Sequence, residues 1–185
     1  MMHSPSIDRP WPYVATTRKN LFGSSPRALR DQEVGRTNKT EVKSDMTEIT
    51  RPEAAAEGFQ AAWNAHDMTA LGALFHEDAT FVNRFGHLVR GIDEIIALHA
   101  PIHQTIYRDS TLANEVIDVI AIGDGVAVLH FWSRLTVGST HPAGPHSVDT
   151  LIQAVLTRHE ELWLIKALEN VTLTNPRTGE PTLRK

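Results

Sequence analysis

The sequence predicts an α+β domain: helices first, then strands in meander order closing an antiparallel sheet. Two observations carry this reading. Apolar residues recur at helical spacing between Phe59 and Ile102, whereas Tyr107–Thr174 is built of strand formers broken by hairpin signals. No strand alternates with a helix in the manner of βαβ crossovers, and no internal repeat is present, so a parallel sheet is not expected.

The first helix is announced by Thr50-Arg51-Pro52-Glu53, a capping-box pattern with proline in the first turn, where its missing N–H costs little. Phe59, Ala62 and Trp63 mark one apolar face. Asn64-Ala65-His66-Asp67 breaks the period, and Asp67 suits the N-cap of a short second helix whose Leu71, Leu74 and Phe75 share a face. Glu77-Asp78 reads as a turn into a strand, Ala79–Phe85. After Gly86 and Gly91 a third helix starts near Ile92, with Ile95, Ile96, His99 and Ile102 in register. Tyr107–Ile122 is a long strand closed by Gly123-Asp124-Gly125, a hairpin signal, and Val126–Val137 runs back. A Gly/Pro loop, Gly138–Pro145, leads to Ser147–Leu156, and a charged turn at Arg158–Glu161 leads to Leu162–Thr174.

Composition separates an appendage from this domain. Residues 1–45 hold eight basic and five acidic side chains, a net of +3, which leaves −7 on the other 140 residues of a chain whose net charge is −4. Four prolines and no sustained period make 1–48 an expected disordered or loosely attached extension, followed by a domain over 49–175 and a tail over 176–185. A basic, Ser-containing presequence and a natural start at Met46 are both compatible with the extension; the second is preferred. Ile7–Val14 is too interrupted by Asp8, Arg9, Pro10 and Pro12 for a secretory core, and no apolar run approaches the ~18 residues that cross a bilayer. A cytoplasmic protein without membrane partner is expected. The acidic balance argues against general nucleic-acid binding. With no cysteine, thiolate metal sites, disulfides and a cysteine nucleophile are excluded.

The run Phe59-Gln-Ala-Ala-Trp63-Asn-Ala-His66-Asp67, followed by Leu71-Gly-Ala-Leu-Phe75-His-Glu-Asp78-Ala-Thr-Phe-Val-Asn83, resembles the opening of nuclear-transport-factor-2-like domains. It is most similar to the SnoaL-like group, and there to the SgcJ/EcaC type. Gly86, Gly91, Ile95, His99 and Leu164–Asn170 continue the resemblance, which spans Pro52 to Thr174. The resemblance implies a cystatin-like cone: three helices packed on a curved antiparallel sheet around an internal pocket, commonly dimerised through the outer sheet face. Bulky residues on both faces of Val126–Val137 agree with a sheet covered on both sides, so a homodimer is expected.

The ketosteroid-isomerase branch of that superfamily places a Tyr where this chain has Phe59 and an Asp base where it has Asn83. Phe cannot donate a hydrogen bond and Asn cannot take a proton, so enolisation by that route is not expected. Asn83 could orient a ligand or bond its own strand end. His99, in register with isoleucines, is the candidate catalytic group: either a pocket base or donor, or a satisfied core histidine. His103 lies one helical turn on, but Pro101 should kink or end the helix between them, and no third ligand completes a metal site. His130, Trp132 and Arg134 share one strand face, lining either the pocket or a dimer contact. Trp63 is a core residue or a pocket wall, and the resemblance makes Asn170 a pocket candidate, because the SgcJ/EcaC type tends to carry Asn there. His141 and His146 flank a rim loop and are expected in solvent. No phosphate loop or Gly-x-Ser-x-Gly elbow exists, and no cofactor is expected. The expected function is a small-molecule pocket protein that processes a hydrophobic or polycyclic metabolite. The alternative is a non-catalytic ligand-binding or accessory dimerisation module.

Overall fold

The computed structural model describes residues 48–185, so the expected extension falls outside the described residues except for Glu48. Helix α1 spans Ala54–Asn64. The capping box does not form: Glu53 takes the N-cap position with helical φ −60° and ψ −33° and offers no side-chain cap. The chain instead winds in through three tight i→i+3 bonds, from the amides of Ala54, Ala55 and Ala56 to the carbonyls of Arg51, Pro52 and Glu53. Pro52 fits that turn because its fixed φ is already helical.

The end of α1 is a Schellman turn. The His66 amide donates to the Trp63 carbonyl and the Asp67 amide to the Ala62 carbonyl, both at 3.0 Å. His66 therefore adopts φ +53°, the left-handed region in which a side chain costs ~1–2 kcal/mol and which glycine usually fills. Asp67 then caps α2 (Met68–Ala73) as expected, its Oδ1 accepting from the Ala70 amide at 2.9 Å.

Strand β1 (Phe75–Val82) starts earlier than the sequence suggested. Glu77-Asp78 is not a turn but the irregularity within that strand, where its register with the last strand slips. A short β2 (Leu88–Arg90), too brief to show a period, pairs back on β1 and leads into α3 (Gly91–Gln104). Pro101 lies inside α3 without ending it. The carbonyl it deprives of a partner is that of Ala97, and both residues are exposed, so the vacated acceptor lies on the solvent side of the helix. Helix α2 meets α3 at Gly72, where a Cβ would stand 3.1 Å from Ile92 Cγ2.

Four long strands complete the fold: β3 (Thr111–Ala121), β4 (Val126–Val137), β5 (His146–His159) and β6 (Leu162–Thr172). The sheet order is β2-β1-β6-β5-β4-β3. The meander is antiparallel as expected, but β1 lies parallel to β6, so the sheet is mixed.

Side-chain amides tie the helical layer to one sheet face. Asn64 exchanges two hydrogen bonds with the backbone of Leu112, and Asn114 donates Nδ2–H to the Ala56 carbonyl and its backbone N–H to Gln60. Because Asn114 stands opposite Ser133, the covered face of β4 is Ala127, Leu129, Phe131, Ser133, Leu135 and Val137. Phe131, Leu129, Ile152, Leu156, Ile165 and Leu168 are fully buried there, beneath Phe59, Leu71 and Ile95 of the helices. Burying each such side chain is worth ~1.5–3 kcal/mol.

The opposite face is partly covered by the chain itself. Residues 176–185, expected only as a tail, turn back: Thr174 bridges Pro181, and the Thr182 amide donates to the Leu173 carbonyl at 2.9 Å. Arg184 then donates its backbone N–H to Asp149 Oδ2 at 2.6 Å, and its carbonyl accepts from Arg134 at 3.2 Å.

Candidate functional site

The helix-covered side of the sheet holds a cluster of aromatic and imidazole rings. Trp63, from the last full turn of α1, is its centre: Phe59 stacks at 6.4 Å, and His99, His103 and Tyr107 meet the indole at 6.0, 4.3 and 5.9 Å between ring centroids. The indole N–H donates to Ser110 Oγ at 3.1 Å, and that hydroxyl donates to the Tyr107 carbonyl at 2.7 Å. Because α3 runs on through Pro101, the four-residue spacing of His99 and His103 is kept and both rings turn inward, at 4% and 5% exposure. The expected misalignment by Pro101 does not occur.

His99 sits between Trp63 and the edge of Phe81, 5.0 Å away. Its Nδ1 lies 2.7 Å from the Ile95 carbonyl oxygen. A carbonyl only accepts, so Nδ1 carries the proton and, in the neutral ring, Nε2 keeps its lone pair. Burial favours that neutral form and lowers the pKa, with the bond to Ile95 opposing it in part. His103 is pushed down to about 4, first by burial and then by the neighbouring His66 and His99.

Asn170 lies on the same covered face. It stands two residues beyond Leu168, whose β1 partner is Phe81, so it is one strand step from the His99 station. Its Oδ1 is buried and has no hydrogen-bond partner among the described residues. A buried acceptor left bare costs ~1–3 kcal/mol, which a water or ligand donor would recover.

Three other candidates fall elsewhere. Asn83 serves the β1–β2 turn: its Oδ1 accepts from the amides of Phe85 and His87, both at 3.0 Å. Trp132 and Arg134 occupy the outer face, opposite Glu115 and Asp149 on the flanking strands, and not the helix-covered side. Arg134 grips Asp149 through two bonds of 2.7 Å, and Arg184 lies over Trp132. Alternation alone could not choose between the faces, since both carry bulky residues.

Several members were missed. His66 places its Nδ1 2.7 Å from Nδ1 of His103. Tyr107 reads as the start of a strand, yet it closes the turn after α3 and stacks on His141 at 5.8 Å, which in turn meets His146 at 4.7 Å. The rim loop is held by Asp109, which binds Thr140 and lies so near Gly138 that a Cβ there would collide with its carboxylate. Among the described residues no group of three or more His, Asp or Glu side chains is placed to hold a metal.

Two clefts open on the helical side. One, of about 210 Å³, is lined by Ile49, Ala62, Ala65, Leu74 and Trp163; the other lies between α2 and α3 at Met68, Gly72, Ile92 and Ile96. Neither includes His99 or His103 in its lining.

The family model for the SnoaL-like domain matches residues 56–163. This chain belongs to the SnoaL-like domain family. Among solved structures, a domain of unknown function with a cystatin-like fold from Nostoc punctiforme is 25% identical, with a TM-score of 0.59 over 67% of this chain and 76% of that one. A ketosteroid isomerase-like protein from Erwinia carotovora atroseptica is 17% identical, with a TM-score of 0.58 over 66% and 94% of the two chains. A protein described as a scytalone dehydratase from Novosphingobium aromaticivorans is 16% identical, with a TM-score of 0.60 over 72% and 91%. These likenesses place the SnoaL-like chain in the cystatin-like fold, with its mixed six-stranded sheet. No curated protein matches it. No described helix is long and apolar enough to cross a membrane.

Proposed function

We propose that this SnoaL-like domain, of the SgcJ/EcaC type, is a cytoplasmic small-molecule protein that processes a hydrophobic or polycyclic metabolite on the helix-covered side of its sheet. His99 is the proton-handling group, with Phe59, Trp63, His103 and Asn170 around it. The observation that carries this reading is the buried imidazole of His99. Its proton is pinned on Nδ1 by the Ile95 carbonyl, its Nε2 is left as a base, and aromatic edges flank it. The bare Oδ1 of Asn170 supplies an acceptor on the same face. The likeness to a ketosteroid isomerase-like protein and to a scytalone dehydratase is consistent with chemistry on such molecules, although the fold hosts many activities.

A non-catalytic ligand-binding module is the second reading, favoured by the two clefts that do not include His99. His99→Gln separates them. Glutamine keeps a polar reach but exchanges no proton near neutral pH, so an enzyme loses turnover while its fold persists. Native mass spectrometry of protein purified from its own host identifies the bound molecule; a chain that carries none and turns over none sinks the leading reading.

The proposal extends to a homodimer through the outer sheet face. Ile120 and Val171 are 49% and 54% exposed there, beside half-buried Val128, Leu151 and Val155. Sedimentation at micromolar concentration yielding the monomer mass alone would refute it.

A further inference from the structure

His66 occupies a backbone conformation that glycine would fill without strain, and the turn at the end of α1 needs only that conformation. An imidazole stands there instead, and it is used: its Nδ1 is 2.7 Å from Nδ1 of His103, with the rings nearly perpendicular at 71°. His103 is 5% exposed, and its second nitrogen, Nε2, is buried without a partner among the described residues. His66 is half-buried and lies nearer solvent. The pair thus has one end near water and the other end bare in the interior, against Trp63.

We propose that His66 and His103 form a two-ring proton relay whose inner end, His103 Nε2, receives an uncharged ligand through a hydroxyl group. This rests on the reading that the covered side of the sheet holds a small molecule, and it names the group that holds it and the ligand chemistry.

A hydrogen bond between two Nδ1 atoms contains one proton. When His103 carries it, His103 Nε2 is a bare acceptor and His66 holds its own proton on Nε2. A ligand O–H donates to His103 Nε2. In the transfer the O–H bond breaks and the Nε2–H bond forms, the shared Nδ1 proton crosses to His66, and the His66 Nε2 proton leaves to water. Both rings end neutral with their tautomers exchanged, the ligand oxygen keeps the electron pair, and water is the only other participant. The reverse sequence returns the proton. Concerted in this way, His103 accepts a proton without holding a positive charge in the core, which its burial disfavours.

The surroundings select the ligand's charge. The residues facing the pair are Trp63 from α1, His99 from α3 and, across the indole, Tyr107 from the turn after α3. Asp67, next in the chain, spends its carboxylate on the Ala70 amide. Among the described residues no fixed cation faces His103, so a carboxylate would meet only the bare Nε2 lone pair, whereas the oxyanion left by the transfer is held by the new Nε2–H.

Long-range proton–nitrogen NMR of the full chain tests the relay, with 1-naphthol as the uncharged hydroxyl probe and 1-naphthoate as its anionic counterpart. The expected result is a shared Nδ1 proton, His103 exchanging between tautomers, and His103 Nε2 shifting with 1-naphthol but not with 1-naphthoate. His66→Asn tolerates the left-handed turn but has no ring to relay through; it should lock His103 in one tautomer and weaken 1-naphthol binding at least tenfold. His66→Gly should do the same while keeping the fold, because glycine favours that turn. A His103 tautomer unchanged by either variant overturns the relay. So does 1-naphthol bound with equal affinity in both, although the small-molecule reading then survives. If 1-naphthol shifts residues other than His103, the inner binding station is wrong. Failure of the broader reading shows separately, as a chain with no co-purified molecule.

Discussion

The guanidinium carbon of Arg184 lies 5.4 Å from the ring centroid of Trp132, and the same guanidinium pairs with Glu115. The returning segment 176–185, a strap across the outer face, therefore covers the aromatic residue that strand alternation made eligible for a pocket. It also shields Asp149, whose carboxylate takes two bonds from Arg134 and one from the Arg184 amide.

Arg184→Ala should expose the Trp132 indole and cost ~0.5–1 kcal/mol, the usual worth of a cation–π contact near the surface. Tryptophan emission should move to longer wavelength by comparison with the unaltered chain. Unchanged emission and an unchanged urea midpoint would show that the contact does not persist in solution.

Removing Arg134 is a harsher change. Arg134→Met leaves a buried Asp149 with only the Arg184 amide, and stability should fall, by less than for a fully buried pair because the Arg134 side chain is 45% exposed. Arg134, chiefly through its hydrogen bonds, holds the Asp149 pKa below the ordinary value of 3.8. A depressed carboxylate stabilises the fold above its unfolded pKa, and this is lost as pH falls below that range. The variant should therefore lose less stability than the parent between pH 4 and pH 2, on an order-of-magnitude view. Parallel acid-denaturation curves would contradict this.

The buried histidines act in a different window. His103 titrates near 6.5 when unfolded and at about 4 when folded, so between those values the unfolded chain holds more protons and stability rises with pH. The fold should have its full share above pH 6.5 and lose on the order of 3 kcal/mol as pH falls to about 4. His99 shifts in the same direction. Urea midpoints at roughly pH 7 and pH 5 measure the effect, and His103→Gln should flatten the difference.

Pro101 breaks a rule of helix interiors on the exposed side of α3. Pro101→Ala restores the bond to the Ala97 carbonyl and should raise stability by ~1 kcal/mol or more, below the ~3 kcal/mol of an unadapted helix interior. A fall in thermal midpoint would mean that the ring packs in a way its exposure does not suggest.

Much of the fold was legible because it rests on local rules. The periods of α1 and α3, the Asp67 cap and the Gly123–Gly125 hairpin are each decided within a few residues. The site was less so. The faces of β4 were ambiguous because Leu129 and Phe131 on one, and Val128 and Trp132 on the other, are all bulky; the Asn114 contacts with Gln60 and Ala56 decide between them, and these are 54 and 58 residues away. The strap over Trp132 is equally non-local. His66, by contrast, left a trace: a helix stopping at Asn64 and restarting after Asp67 needs a left-handed residue between them, and no glycine is there. Asn83 left one too, since Asn with glycine three residues later is turn chemistry.

The parallel pairing of β1 with β6 has a kinetic consequence. Phe75 meets Ile165, and Phe81 meets Leu168, so the first long strand waits for the last before it gains its inner neighbour. During synthesis β1 and β2 emerge as a lone hairpin, and such two-stranded units are marginal in water. The ring cluster beneath α1 and α3 lacks its floor until β6 leaves the ribosome. Long-range closure of this kind slows folding and leaves apolar surface uncovered in the interval. Fragments ending before Leu162 should therefore engage chaperones or aggregate, and the intact chain should fold in one late step.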